Sequence, residues 1–178
     1  KRGEGLRLNY ATDSISAGFA AYNGVGIAEE TSGGATDDLD YEFAITFTGI
    51  ENLSVTAGTQ GIRNSLANTD VDVTNLHASY SVNKLLLGAE YVNLDDESNT
   101  DDMSAYMILA DYDINDKMGI AVRYSEWETG ANAESDQITI APNYSITSSL
   151  GAILEYSSSE DNAGNEADTL ALELTFTF

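Results

Sequence analysis

The sequence predicts an all-β fold: an antiparallel up-and-down transmembrane β-barrel, with about eleven strands in this chain. Three observations predict it. Apolar and polar residues alternate with a period of two along almost the whole chain. The connections between alternating segments are short and long in turn. Aromatic residues collect at both ends of the apolar face and leave an aliphatic band between them.

The alternating segments run approximately over 5–12, 14–24, 38–49, 52–63, 70–82, 84–94, 103–114, 117–128, 135–147, 149–158 and 168–178. No sustained helical stripe interrupts them, and the 15 glycines against a single proline suit many strands joined by turns. The tight connections are TDS (12–14), GIEN (49–52), SVNK (81–84), INDK (114–117) and TSS (147–149). Between them fall GVGIAEETSGGATD (24–37), RNSLANTD (63–70), DDESNTDD (95–102), ETGANAESD (128–136) and SSEDNAGNEAD (158–168). One rim therefore carries tight turns and the other carries long acidic loops, the asymmetry of an outer-membrane barrel.

One face of the segments is uncharged. It carries Leu6, Leu8 and Tyr10, then Tyr41, Phe43, Ile45 and Phe47, and it ends with Leu170, Leu172, Leu174, Phe176 and Phe178. The opposite face carries Arg7, Asp40, Glu42, His77, Glu90, Asp111, Asp113, Arg123, Glu155 and Glu173. A soluble half-buried sheet with a charged exterior shows the same alternation. Aromatic placement separates the two. Tyr10, Phe47, Tyr80, Tyr112, Tyr144 and Phe176 sit near the short-turn ends, the last four each 32 residues apart. Tyr41, Tyr91, Tyr106, Tyr124 and Tyr156 sit near the long-loop ends. Two such girdles match the two interfaces of a bilayer, and a soluble core has no reason to place tyrosine at both its edges.

The final strand, DTLALELTFTF, is the most apolar. A barrel pairs its last strand with its first, because unpaired backbone groups are costly in lipid. Leu174, Phe176 and Phe178 also match the terminal pattern of the assembly signal of bacterial outer-membrane proteins, which implies the barrel-assembly machinery as a partner. Pro142 falls within a strand on the apolar face and lacks a backbone donor, so a local bulge is expected at Ala141 to Asn143.

Composition narrows the function classes. Thirty acidic against 7 basic residues give a formal net charge of −23, which argues against nucleic acid as a partner. The 42% hydrophobic content argues against an acidic disordered chain. With no cysteine there are no disulfides, thiolate metal sites or cysteine catalysis. No apolar run is long enough for a spanning helix, and KRGEGLRLNY has no apolar core of a secretory signal.

The segments GEGLRLNYATDSISAGFAAYNG, HASYSVNKLLLGAEY, YMILADYDINDKMGIAVRYSEW and ITIAPNYSITSSLGAILEYS resemble the repeated hairpins of the OmpL-like β-barrel porin family. The resemblance covers most of this chain but the C-terminal half of a typical member, and a general Gram-negative porin fits the same motifs. It implies a bacterial outer-membrane location, lipid and lipopolysaccharide as surroundings, and a homo-oligomer as one assembly state. Strand parity agrees. Eleven strands counted back from a periplasmic Phe178 put Lys1 on the outer side, whereas bacterial barrels have even strand numbers. Residues 1–178 are thus expected to be the C-terminal portion of a single, larger barrel domain.

Chemistry beyond a pore finds little support. His77 is the only histidine, and although Ser79 lies on its face, no nucleophile elbow, phosphate loop or metal-binding histidine cluster accompanies it. DDESNTDD lacks the spacing and glycine of a calcium-binding loop. Neither a catalytic site nor a cofactor or metal is expected. The inward face gives the stronger signal: Asp40, Glu42, Glu90, Asp111, Asp113, Glu155 and Glu173, with Glu4 near the mouth, against Arg7 and Arg123. Such a lining favours small hydrophilic cations over anions. The two arginines are expected to pair with acids across strands. The expected function is passive diffusion of small hydrophilic solutes and ions. The alternative is a plugged structural or adhesive barrel whose acidic loops bind a partner.

Overall fold

The computed structural model describes residues 5–22, 39–64, 69–96, 102–130 and 133–177. Glu4, Phe178 and most of DDESNTDD lie outside the described residues. Eleven strands form one sheet: β1 (Gly5–Ala11), β2 (Ile15–Tyr22), β3 (Asp40–Phe47), β4 (Leu53–Asn64), β5 (Thr69–Val82), β6 (Leu85–Asp96), β7 (Met103–Asn115), β8 (Met118–Thr129), β9 (Glu134–Ser145), β10 (Leu150–Asp161) and β11 (Glu166–Phe176). Every strand pairs antiparallel with its sequence neighbours, in the order β1 to β11. Among the described residues no helix is long and apolar enough to cross a membrane.

Register kept from strand to strand, with one shift beside the β7–β8 turn, is what carries the sequence alternation into two faces. Leu8 lies opposite Phe19, and Phe19 opposite Phe43. At the other end Ile140 lies opposite Tyr156, and Tyr156 opposite Leu170. Since side chains alternate across a strand, a slip of one residue would exchange the faces. The sheet is a single layer, and its burial is the reverse of a soluble protein's. Leu170 is 70% and Leu172 68% exposed, while the buried polar residues include Asp40 at 2% and Thr139 at 4%. A soluble fold covers such an apolar face with a second layer. This one leaves it open to lipid.

The tight turns share a local device. Thr12 Oγ1 accepts the Ile15 N–H at 3.0 Å, Thr147 Oγ1 the Leu150 N–H at 3.0 Å, and Asn115 Oδ1 the Lys117 N–H at 3.0 Å. Short polar side chains thereby satisfy donors that the ladder cannot reach. Asn52 and Asn83 supply the positive φ, 63° and 54°, in two other turns of that rim.

Two expectations are corrected. Pro142 makes no bulge: β9 runs through it, with Ile120 opposite Pro142 and Gly119 opposite Asn143 in unshifted register. On its β10 side, pairing lapses opposite Leu154 and Glu155, then resumes in the same register. The missing donor costs ladder contacts without adding a residue. The irregularity lies instead between Asp113 and Asn115, beside the β7–β8 turn.

The long-loop rim is also shorter than expected. Its connections span 65–68, 97–102, 130–133 and 162–165, apart from 23–39, because strands continue into the acidic stretches. Acids at alternate positions do not prevent backbone pairing. At the tip after β10, the Asp161 carboxylate accepts Asn165 Nδ2 at 2.8 Å and the Ala163 and Asn165 N–H groups at 2.9 Å each. These donors, the Asn165 amide first, hold its carboxyl below the usual range, and Gly164 closes the turn at φ 78°.

Candidate functional site

The inward face contains the expected lining residues, but in unequal surroundings. Arg7 on β1 lies opposite Ala20, and its Nε reaches Asn9 Oδ1 at 3.4 Å. Glu42 on β3 stands between Ala20 and Gln60. His77 on β5 lies opposite Thr56 and Glu90, and Glu90 accepts a 2.6 Å hydrogen bond from Asn75 Nδ2. Asp111 on β7 is flanked by Leu86 and Ala121. Glu155 lies opposite Ala171, and Glu173 lies opposite Ile153 and accepts from Thr175 Oγ1 at 3.2 Å. Asp40 is different. Its buried carboxylate accepts the Arg63 backbone N–H at 2.7 Å, tying together the ends of β3 and β4.

The expected cross-strand ion pairs do not form. Among the described residues both salt bridges belong to Arg63, and none to Arg7 or Arg123. Register explains this. Arg123 is flanked by Leu109 and Thr139, reaching Thr139 Oγ1 at 3.4 Å, and its buried Nε has no partner. No acid sits directly opposite either arginine.

Part of the inward face is apolar, which the alternation did not reveal. Leu94 pairs with Val73 and Met103, Ala105 with Val92 and Trp127, and Leu109 with Gly88 and Arg123. In stretches such as MSAYMILA both faces are apolar, so the period of two loses contrast.

The outward face has its own polar edge. The aromatics near the tight turns sit beside aliphatic neighbours: Tyr10 opposite Ala17, Phe47 opposite Val55, Tyr80 opposite Leu87, Tyr112 opposite Ile120, Tyr144 opposite Ala152 and Phe176 opposite Leu150. At the other rim, outward tyrosines donate to carboxylates. Tyr41 OH donates to Asp72 at 3.0 Å, and Tyr156 OH to Asp168 at 3.0 Å. Tyr106 and Tyr124 both donate to Glu126 Oε2, at 2.7 and 2.9 Å, with ring centroids 6.1 Å apart. Tyr91 lies directly opposite Tyr106. Arg63 forms a fork to Asp72 at 2.8 and 3.1 Å, with its guanidinium carbon 5.3 Å from the Tyr41 ring centroid. Extending the outward parity past the girdle, through 126, 136, 160 and 168, would have found these acids. Assigning 158–168 to a loop hid Asp168, whereas Asp72 and Glu126 lay inside the segments 70–82 and 117–128.

An antiparallel sheet with a lipid-facing apolar band and a charged inward face defines an outer-membrane β-barrel protein. The Gram-negative porin family matches residues 3–167, and the chain belongs to that family. Its location is the bacterial outer membrane. Among solved structures it resembles the outer membrane channel DcaP of Acinetobacter baumannii, at 13% identity and TM-score 0.73, over 98% of this chain and 62% of that one. It also resembles Salmonella typhi OmpF in complex with daunomycin, at 14% identity and TM-score 0.75, over 98% and 61%. A third is the trimer form of OmpT of Vibrio cholerae, at 19% identity and TM-score 0.61, over 97% and 60%. The chain thus spans about three fifths of the length of these barrels. A search of curated proteins found no match.

Proposed function

We propose that the protein is an outer-membrane porin through which small hydrophilic solutes and ions diffuse passively, with a mild preference for cations. It acts by size exclusion and electrostatic bias and performs no covalent chemistry. The observation that carries the reading is the inward charge balance. Glu42, Glu90, Asp111, Glu155 and Glu173 share the inward side of the strands with Arg7 and Arg123, and none of the seven lies in a salt bridge among the described residues. Unneutralised carboxylates around a water-filled lumen raise the local cation concentration and lower that of anions.

On this reading the eleven strands are the C-terminal part of a larger barrel. Supporting it, β1 and β11 do not pair with each other and each ends the sheet. The surroundings are lipid and lipopolysaccharide, and the barrel-assembly machinery inserts the chain through its terminal strand. A homo-oligomer is the assembly proposed, in keeping with the OmpT trimer.

The test is the zero-current potential of the protein in a planar bilayer under a KCl gradient. A steady conductance with a cation-selective sign is expected, and Glu42→Gln with Glu90→Gln should move the potential toward zero. Anion selectivity would overturn the charge argument. A folded barrel without conductance would overturn the pore.

A further inference from the structure

The inward surface of β1–β5 has a concavity of about 250 Å³, lined by a floor of small residues and by two opposite charges, one on β1 and one on β3. The floor is a cross-strand row of small residues. Gly18 lies opposite Ala44, and Ala44 opposite Gly58. Beside it runs a second row, in which Ala20 separates Arg7 on β1 from Glu42 on β3. Two strand spacings, about 10 Å of backbone, lie between the opposite charges.

Backbone demands do not account for the two glycines in the floor. Neither has a positive φ. A Cβ on Gly58 would come no closer than 3.4 Å to the Phe43 carbonyl oxygen, and one on Gly18 no closer than 3.4 Å to Asn9 Oδ1. Gly119 differs: there a Cβ would meet the Asn143 amide at 2.8 Å. A side chain fits at Gly18 and Gly58, so what their absence provides is open volume.

The two charges are available. Arg7 makes only the 3.4 Å contact with Asn9, and neither it nor Glu42 takes part in a salt bridge among the described residues. Asn75, at the end of the floor row, donates its amide N–H to Glu90.

From this arrangement we propose that the concavity is a weak binding station for small zwitterions, α-amino acids with a compact side chain. The guanidinium of Arg7 takes the carboxylate in a forked pair, and the carboxylate of Glu42 takes the ammonium. The Gly18–Ala44–Gly58 floor admits the body of the solute against the wall. A simple cation is attracted by Glu42 but repelled by Arg7, and a simple anion the reverse. A zwitterion satisfies both charges. The inference rests on the water-filled pore proposed above and names a solute class for its wall.

Single-channel KCl current of the protein in a planar bilayer provides the test, with alanine and its uncharged isomer lactamide as probes. Alanine should lower the mean current along a saturating curve, while lactamide should act only in proportion to its concentration. Arg7→Gln or Glu42→Gln should each weaken half-saturation by alanine about fivefold, the loss of one charge-assisted contact. Gly18→Val, which fills the floor on β2 between the two charges and leaves both, should do the same. Each variant's own KCl current reports that it is folded and open. Equal action of alanine and lactamide, or saturation unchanged in all three variants, overturns the station and leaves the pore standing. Absence of any KCl current overturns the pore and the station together.

Discussion

Along β10, beside the edge strand β11, adjacent residues experience opposite environments. Leu172 is 68% exposed and Leu154, directly opposite it, 45%, whereas Ser157 on the other face is 7% exposed. Glu173, one residue from Leu172, lies on the same face as Ser157 and Glu155. In a water-soluble sheet the leucines would be the covered side. Here apolar side chains have nothing packed over them, while inward ones of β10 such as Ser157 are covered; β11, at the edge of the sheet, is exposed on both faces. The difference teaches that the alternation is written for two solvents, lipid outside and water inside. Within the apolar band, charge then becomes tolerable or ruinous according to parity, while at the long-loop rim the outward face also carries it.

Reversing that parity is the most severe way to break the contrast. Leu172→Arg, midway between the girdle residues Tyr156 and Phe176, should destabilise the folded protein in bilayers by about 2–4 kcal/mol. Ala171→Arg, one residue away on the inward face, should leave the urea midpoint nearly unchanged and shift the zero-current potential instead. If both variants unfold alike, the facial assignment fails.

A smaller effect is expected where the outward face meets the headgroups. Arg63→Ala removes the fork to Asp72 and the contact with Tyr41. Because this network is partly solvent-exposed, the expected loss is about 1 kcal/mol. Arg63→Lys should restore less than half, since an ammonium cannot make the forked pair. Full rescue by lysine in urea titrations would show that charge alone matters.

Tyr124→Phe, which removes one of two hydroxyls on Glu126, should cost about 0.5–1 kcal/mol in the same assay. Smallest of all, Thr147→Ala should cost about 0.5 kcal/mol, because the hydroxyl it removes serves two N–H groups in an exposed turn. A larger loss at Thr147 than at Tyr124 would reverse the ranking of the rims.

Much of the fold was legible because strand periodicity is local. The eleven segments match the eleven strands within a few residues, even through Pro142. Legibility failed where local signals lose contrast. Asp136, Glu160 and Asp168 fell in stretches read as loop because acids usually mark loops, yet they continue the strands in register. Leu94, Met103 and Trp127 lie inward beside outward Asn93, Asp95, Ser104, Glu126 and Glu128, so near the long-loop rim the polarity of the two faces is reversed and hydropathy alone puts them on the wrong side. The Arg7 and Arg123 pairings failed for a different reason: which side chain lies opposite depends on register between strands.

The sequence by itself determined the strands, the tight turns, the apolar band of the outward face, the aromatics that flank it and the inward charges. Each follows from a period of two and from residue chemistry, which need no partner strand to be read. Only the tertiary structure decided which residues meet. It buried Asp40 against the Arg63 backbone, left Arg7 and Arg123 without acids opposite, joined Tyr41, Arg63 and Asp72, and set Gly18, Ala44 and Gly58 in one row. The physical reason is that cross-strand neighbours are fixed by turn length and hydrogen-bond register, and both act between segments instead of within them.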